Sequence, residues 1–317
     1  MELVELTIDK RNGNVCYNDK YHIYWDAGDL FTYISTTTLI SKFENFDRDF
    51  WLGYKAIQSL IGDSEKAKRM LVNVRRLKTI DVKEIMNMFP VFTEEQYRKR
   101  VDELSAQWKA NANKACEFGT ATHASYENMF DGKGWYKLDW YGYAPSKHFA
   151  YIPGFYSIDD RLDKQVFPEM LISFKSRSGI RIAGQADICI KDYDTIQIQD
   201  YKTNKSIDME SYRNIDGSYQ MMKYPLDNLM DCNSVHYQLQ TSLYTWILLR
   251  KYPNLNPKDP VIIHFYDKEN TKKANKYMLR YIPEAVIMML RYFRDNIDYN
   301  YQKVIKKDGK YFITRNS

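Results

Sequence analysis

The sequence predicts an α/β (α+β) fold, one elaborated core with helices added on its N-terminal side, and three observations carry that prediction. Residues 169–175, 180–191 and 195–203 (EMLISFK, IRIAGQADICIK, TIQIQDYKT) read as three strands joined by SRSG and DYD turns. Helical sequence precedes this group from Thr93 and follows it from about His236 to Arg250. A chain of 317 residues, 44% hydrophobic and 27% charged, can bury a sizeable core.

In chain order, YHIYWD and LFTYISTTTLI within residues 1–40 are rich in β-branched and aromatic residues and read as strands. From Phe46 to Met88 the pattern is helical, and KAKRMLVNVRRLK within it is a basic amphipathic stretch. Thr93 with Gln96 forms a capping box that opens a helix toward Phe130, with Gly119 as its candidate break. Residues 131–165 read as irregular. After the three central strands and a long connection come the helix from His236, the strands VIIHFYD and NKYMLRYI, and a helix PEAVIMMLRYFRDNI opened by Pro283. The expected organisation is 1–92 as N-terminal strands and helical elaboration packed on a core of 93–317.

Several classes are excluded or disfavoured. MELVELTIDK lacks an apolar leader segment and no apolar run is long enough to span a bilayer, so no membrane is expected and a cytoplasmic home is. Cys16, Cys116, Cys189 and Cys232 have no CxxC spacing, which argues against a zinc ribbon, an iron–sulfur cluster or a disulfide framework. No GxxxxGK[ST] segment supports a kinase or motor. A net charge of +5 permits a polyanionic partner without requiring one.

The chemistry concentrates at QDYKT. DxK occurs four times, at Asp81, Asp131, Asp200 and Asp308, and a lone DxK is usually a surface pair. Asp200 and Lys202 differ because they continue the apolar stripe of Ile196 and Ile198 on one strand face, where charges need partners. A two- or four-residue turn around Asp192–Tyr193 pairs Asp187 of AGQAD with Ile198 and puts it on the face of Asp200; a three-residue turn puts it on the other. Two adjacent carboxylates repel unless a cation lies between them, and Mg²⁺ or Mn²⁺ suits such oxygen ligands. Glu169 falls opposite Asp187 if the preceding loop is Arg177-Ser178-Gly179, and turns away if the loop has two residues. His123 and Glu127 share a helix face at i, i+4, as do Gln240 and Tyr244.

GTATH with Glu127, then Glu169, GQAD, QDYKT and QTSLY, in this order between about Trp108 and Trp246, resemble the motif set of RecB-type nucleases of the PD-(D/E)XK superfamily. YISTTTLI also looks like the "SVTT" segment of phage-type and mitochondrial genome-maintenance members. The resemblance implies a restriction-endonuclease-like core, a central mixed sheet flanked by helices, and metal-dependent hydrolysis of DNA. By motif, His123, Asp187, Asp200 and the Tyr201 carbonyl would hold one or two Mg²⁺ or Mn²⁺ ions. Lys202 would be the catalytic lysine, Glu169 the upstream acid, and Gln240 and Tyr244 a pair that supports the site and contacts the nucleic-acid backbone. Asp200 stands where the motif commonly has Glu, and the cysteines of the cluster-bearing branch are missing.

The expected substrate is DNA ends, single-stranded or frayed, in replication, recombination or repair, in a phage setting with partner proteins of that machinery; in that setting the compartment is the host-cell cytoplasm. Eleven aromatics between Tyr126 and Tyr156, interleaved with Lys133, Lys137 and Lys147, could form stacking platforms or bury themselves over the core. Lys175, Arg177 and Arg181 on the hairpin FKSRSGIR could grip phosphates. The alternatives are a structure-specific endonuclease on the same fold and a catalytically silent DNA-binding or assembly protein.

Overall fold

A computed structural model describes residues 2–128, 130, 133–137, 148–154, 156–266 and 274–315. Of the aromatic stretch, Trp140, Tyr141, Tyr143 and Lys147 lie outside the described residues. The chain opens with β1 (Glu2–Leu6), β2 (Lys10–Asn12), β3 (Val15–Asn18), β4 (Ile23–Asp26) and β5 (Ile34–Ser35). Helices α1 (Thr36–Ser41), α2 (Arg48–Ile61), α3 (Glu65–Leu77), α4 (Val82–Met88) and α5 (Glu94–Glu127) follow. Then come β6 (Gly134–Lys137), β7 (His148–Tyr151), β8 (Lys164–Lys175), β9 (Arg181–Asp192) and β10 (Thr195–Lys202). The chain continues with α6 (Asn233–Lys251), β11 (Asn256–Pro257), β12 (Val261–His264), β13 (Asn275–Met278), α7 (Pro283–Asn296), β14 (Ile305–Lys307) and β15 (Lys310–Arg315).

Local chemistry explains the helix starts. Ser35, Asp47, Ser64 and Asp81 each accept the N–H three residues on, satisfying a donor that a helix leaves unpaired. Thr93 and Gln96 cap each other reciprocally at the start of α5. The Ser35 cap corrects the reading of STTTLI as strand: Thr36–Ser41 is helical, because one cap bond outweighs the β preference of three threonines. Helix α5 also runs unbroken through Gly119, where a Cβ would stand 3.3 Å from the Thr203 hydroxyl; the glycine serves close approach to the chain after β10.

The main sheet is mixed, in the order β13-β12-β10-β9-β8-β7-β6, with β5 added to β9 and β11 to β10. Pairs β10/β12, β10/β11, β7/β8 and β5/β9 are parallel; the others are antiparallel. Helices flank it on both faces. Leu239 and Leu243 of α6 and Val286 and Met289 of α7 pack on Ile182, Ile196 and Ile198, while Tyr126 of α5 packs on Tyr201 and Ile188 from the other side. A fully buried leucine such as Leu243 contributes roughly 1.5–3 kcal/mol. Helices α2–α4 share a separate small core around Phe50, Ile57, Leu71 and Ile85. Strand β1 pairs with β15 and β5 joins the main sheet, so residues 2–35 are tied to the C-terminal half by strand pairing. Among the described residues no helix is long and apolar enough to cross a membrane.

Strand β9 changes partner part-way along. It pairs with β10 from Asp192 to Ile188 and with β5 at Ile182 and Ala183. Residues 184–187, the GQAD segment, lie between these two pairings, at the point where β10 leaves to run beside β12. The observed turn has two residues, yet Ile198 faces Cys189 rather than Asp187, two residues from the expected register. On the other side, the β8–β9 loop is the three-residue 177–179, with Gly179 at φ +91°. Pro168 and Met170 face Ile188 and Ala186, which sets Glu169 across from Asp187; Glu169 itself has φ +47°. A non-glycine residue there is strained and stores on the order of 1–3 kcal/mol.

Candidate metal centre and its cleft

Asp187 sits where β9 and β10 part, and its side chain replaces the missing ladder bond. Its Oδ2 accepts the Tyr201 N–H at 2.5 Å. The Phe265 N–H donates to the Lys202 carbonyl, so strand alternation turns the Tyr201 N–H and C=O away from β12 and toward Asp187. Asp187 Oδ1 meets His123 Nδ1 at 3.2 Å, and the same nitrogen stands 3.8 Å from Glu169 Oε1. Ligand atoms of His123, Glu169 and Asp187 lie within 4.8 Å of one another. The His123 ring also stands edge-on to Tyr201, at 5.6 Å and 86°, which fixes its orientation.

Asp200 is fully buried. Its Oδ1 accepts from Gln240 Nε2 at 3.3 Å, and its buried Oδ2 meets the Lys202 ammonium. The Lys202 ammonium also lies 4.6 Å above the Tyr237 ring. Gln240 contacts the Tyr244 hydroxyl at 3.4 Å, and that hydroxyl packs against Gly184. Both are buried beneath the site, a placement that suits the supporting role the resemblance implied more than a contact with the nucleic-acid backbone.

A Cβ on Gly184 would fall 2.5 Å from the Tyr244 hydroxyl and 2.8 Å from Thr36 Oγ1. Gly184→Ala is therefore expected to destabilise the fold by about 1–3 kcal/mol through overpacking, read as a lower denaturant midpoint.

Burial opposes the Asp187 charge, but His123, Lys202 and the Tyr201 N–H hold its carboxyl below the usual range. Burial first, then the Asp187 charge, push the Glu169 carboxyl well up, against Lys10 and His123. Burial likewise raises Asp200, with Lys202 opposing. His123 is raised to about 9 because Asp187, Glu169 and Asp200 outweigh its desolvation. Burial disfavours the Lys202 charge, yet Asp200 and Asp187 keep it protonated beyond the ordinary lysine range.

The sign of the resulting pH dependence is fixed. A histidine with a folded pKa of about 9 against 6.5 adds stability that is complete below 6.5 and lost as pH rises to 9. Glu169, raised in the fold, also holds its proton longer than in the unfolded chain, so its contribution falls with rising pH too. In chelator, the melting temperature should fall between pH 6.5 and 9, and His123→Ala should flatten the curve; a flat wild-type curve would refute this coupling.

The centre opens into a cleft of about 980 Å³. One wall is α5 from Ala115 to Glu127; the other is the β2–β3–β4 sheet, which contributes Lys10, Tyr17, Lys20 and His22. Lys10 reaches across, 3.1 Å from Glu127 and 3.8 Å from Glu169. Gln185 Nε2 donates to Glu169 at 3.2 Å. Sequence reasoning missed Lys10, Gln185, Tyr237 and Thr36 as individual residues; Gln185 within GQAD, Tyr237 beside QTSLY and Thr36 within YISTTTLI carried a signal, and Lys10 carried none.

Lys175, Arg177 and Arg181 are not at the site. Lys175 and Arg181 lie six residues along their strands from Glu169 and Asp187, roughly 20 Å away. Both are engaged by Asp29, Arg181 at 2.7 Å, and Lys175 also meets Asp26 at 3.3 Å. Lys175 and Arg181 thus tie the hairpin to the end of β4 and the loop after it, and Arg177 is its exposed tip.

No family model and no curated protein matches the chain. A solved protein described as "Crystal structure of SSO0001" aligns with 78% of this chain and 85% of its own, at 12% identity and a TM-score of 0.28. That likeness is too low to bear on function.

Proposed function

We propose that the chain is a metal-dependent deoxyribonuclease of the RecB-type, PD-(D/E)XK kind, acting as an exonuclease on single-stranded or frayed DNA ends. The observation that carries the reading is the convergence of His123, Glu169, Asp187, Asp200 and Lys202 where β9 and β10 separate. The donor set suits Mg²⁺ or Mn²⁺: ligand atoms of one imidazole and two carboxylates lie within 4.8 Å of one another, and the buried Asp200 carboxylate, paired with Lys202, stands beside them. His123, Glu169, Asp187, Asp200 and the Tyr201 carbonyl would hold the ion or ions. Such an ion supplies an acidified water and neutralises charge growing on the phosphate.

The chain's own residues do the positioning. The Tyr201 N–H fixes one oxygen of Asp187, and Gln240 fixes one oxygen of Asp200, so each keeps a defined orientation. Lys202, held between Asp200 and the Tyr237 ring, presents a protonated amine that can stabilise developing negative charge. The two-walled cleft, with Lys20 on the β-sheet wall, supports the reading of an unpaired strand as substrate.

Linear and circular single-stranded DNA, incubated with the protein and Mg²⁺, separate the two enzymatic readings. Loss of linear DNA with sparing of circles supports the exonuclease; nicking of circles would favour the endonuclease, and binding without any cleavage the silent DNA-binding protein.

A further inference from the structure

We propose a second phosphate-binding site, remote from the acid cluster, that anchors the sugar–phosphate backbone of a single nucleic-acid strand. It lies where the end of α3 meets the connection between β10 and α6. A recess of about 350 Å³ is lined there by Arg75, Arg76, Lys78, Tyr212, Asn214 and Asp216.

Three cations converge on this recess, none of them in an ion pair among the described residues. Among the described residues, Arg75, Arg76 and Lys78 have no carboxylate within ion-pair distance, whereas Arg98 and Arg100 of α5 pair with Glu94 and Glu103. The nearby carboxylates point to other donors: Asp47, which attracts Lys78 only through space, accepts the Phe50 N–H, and Asp216 accepts from the Ser218 N–H and hydroxyl. Arg75 lies 5.0 Å above the Tyr212 ring, and its buried Nε makes no hydrogen bond. Lys78 stands over Trp51, Tyr212 and Phe50 at 4.9, 5.2 and 5.3 Å. It does so from the left-handed region, φ 52° and ψ 34°, where glycine or asparagine is the usual residue.

A basic last turn alone would be explained by the helix dipole, which favours Arg75 and Arg76 there. The dipole explains neither a strained lysine held over three rings nor a desolvated donor left unpaired. Both fit an anion with several acceptor oxygens. The recess connects to the cleft by chain: Lys202 and Tyr212 are ten residues apart, which spans at most about 36 Å. At roughly 3.4 Å per stacked nucleotide, one strand of about ten nucleotides reaches from one to the other.

The inference rests on the nuclease reading only for the identity of the polyanion, and its test needs no cleavage. Fluorescence anisotropy in EDTA measures the full chain binding a labelled 30-nucleotide oligo-dT across a salt series. The triple variant Arg75→Gln, Arg76→Gln, Lys78→Asn keeps polar side chains and suits the left-handed position. It should bind on the order of tenfold more weakly, with the slope of log K against log salt reduced by about 2, or roughly 0.7 per lost contact. If the triple variant melts early, Arg76→Gln, at an exposed position, serves alone and should lower the slope by about 0.7. Unchanged affinity and slope would reduce the patch to a solvated helix face, even in a protein that cuts DNA. Patch-dependent binding in a protein that never cuts would keep this site and overturn the nuclease. Displacement of the oligonucleotide by polyglutamate at equal charge would overturn the nucleic-acid assignment in favour of an acidic protein.

Discussion

Lys202→Ala should lower metal-dependent DNA cleavage on the order of 10³-fold while leaving DNA affinity within a few-fold of wild type. The amine is the cation that meets the buried Asp200 Oδ2, and it lies beside the groups that would face the scissile phosphate. Its removal deletes a preorganised positive charge and leaves a desolvated carboxylate unpaired. Lys202→Arg keeps charge but replaces a compact ammonium with a planar fork, so little rescue is expected. Single-turnover rates with pre-bound DNA check this, since they isolate chemistry from binding. A variant that cuts at the wild-type rate would remove Lys202 from the mechanism.

Asp187→Ala should abolish the stabilisation that Mn²⁺ gives the wild-type protein. A ligand at about 100 times its dissociation constant adds about 2.7 kcal/mol, a rise of several degrees in melting temperature for a chain of this size. The substitution removes the carboxylate shared by His123 and the Tyr201 N–H, so it should also lower metal-free stability by about 1–3 kcal/mol. Asp187→Asn separates the two effects: its amide oxygen still accepts the Tyr201 N–H, while the charge that attracts the ion is gone. Thermal melts in Mn²⁺ and in EDTA should show a metal shift in the wild type and none in either variant. An Mn²⁺ shift that survived both substitutions would place the ion elsewhere.

The parts of this site visible in the sequence are those with local grammar. The Arg177-Ser178-Gly179 loop needs a left-handed residue, and Gly179 supplies it, so the placement of Glu169 opposite Asp187 was open to derivation. Thr93 and Gln96 announce α5 and thereby carry His123 to the sheet. What stayed hidden depends on contacts distant in sequence. Lys10 enters the acid cluster from a strand more than a hundred residues before Glu127 and Glu169, and no spacing rule relates them. The departure of β10 from β9 at Asp187 follows from competition by β12 and β5, which neither strand's own pattern encodes. Lys175 and Arg181 looked basic and free because their partner, Asp29, lies in another part of the chain. The β preference of the Thr36–Thr38 run was overridden by one capping serine.

The central claim is that the cleft between α5 and the β2–β3–β4 sheet cuts phosphodiesters with the aid of a divalent cation. The most direct measurement follows end-labelled linear DNA with wild-type protein and with Asp200→Ala, each in Mn²⁺ and in EDTA. The expected result is degradation by the wild type in Mn²⁺ alone, with loss of at least about 10³-fold in the variant. Equal degradation by both proteins, or no degradation by the wild type in any metal while it still binds DNA, would contradict the claim.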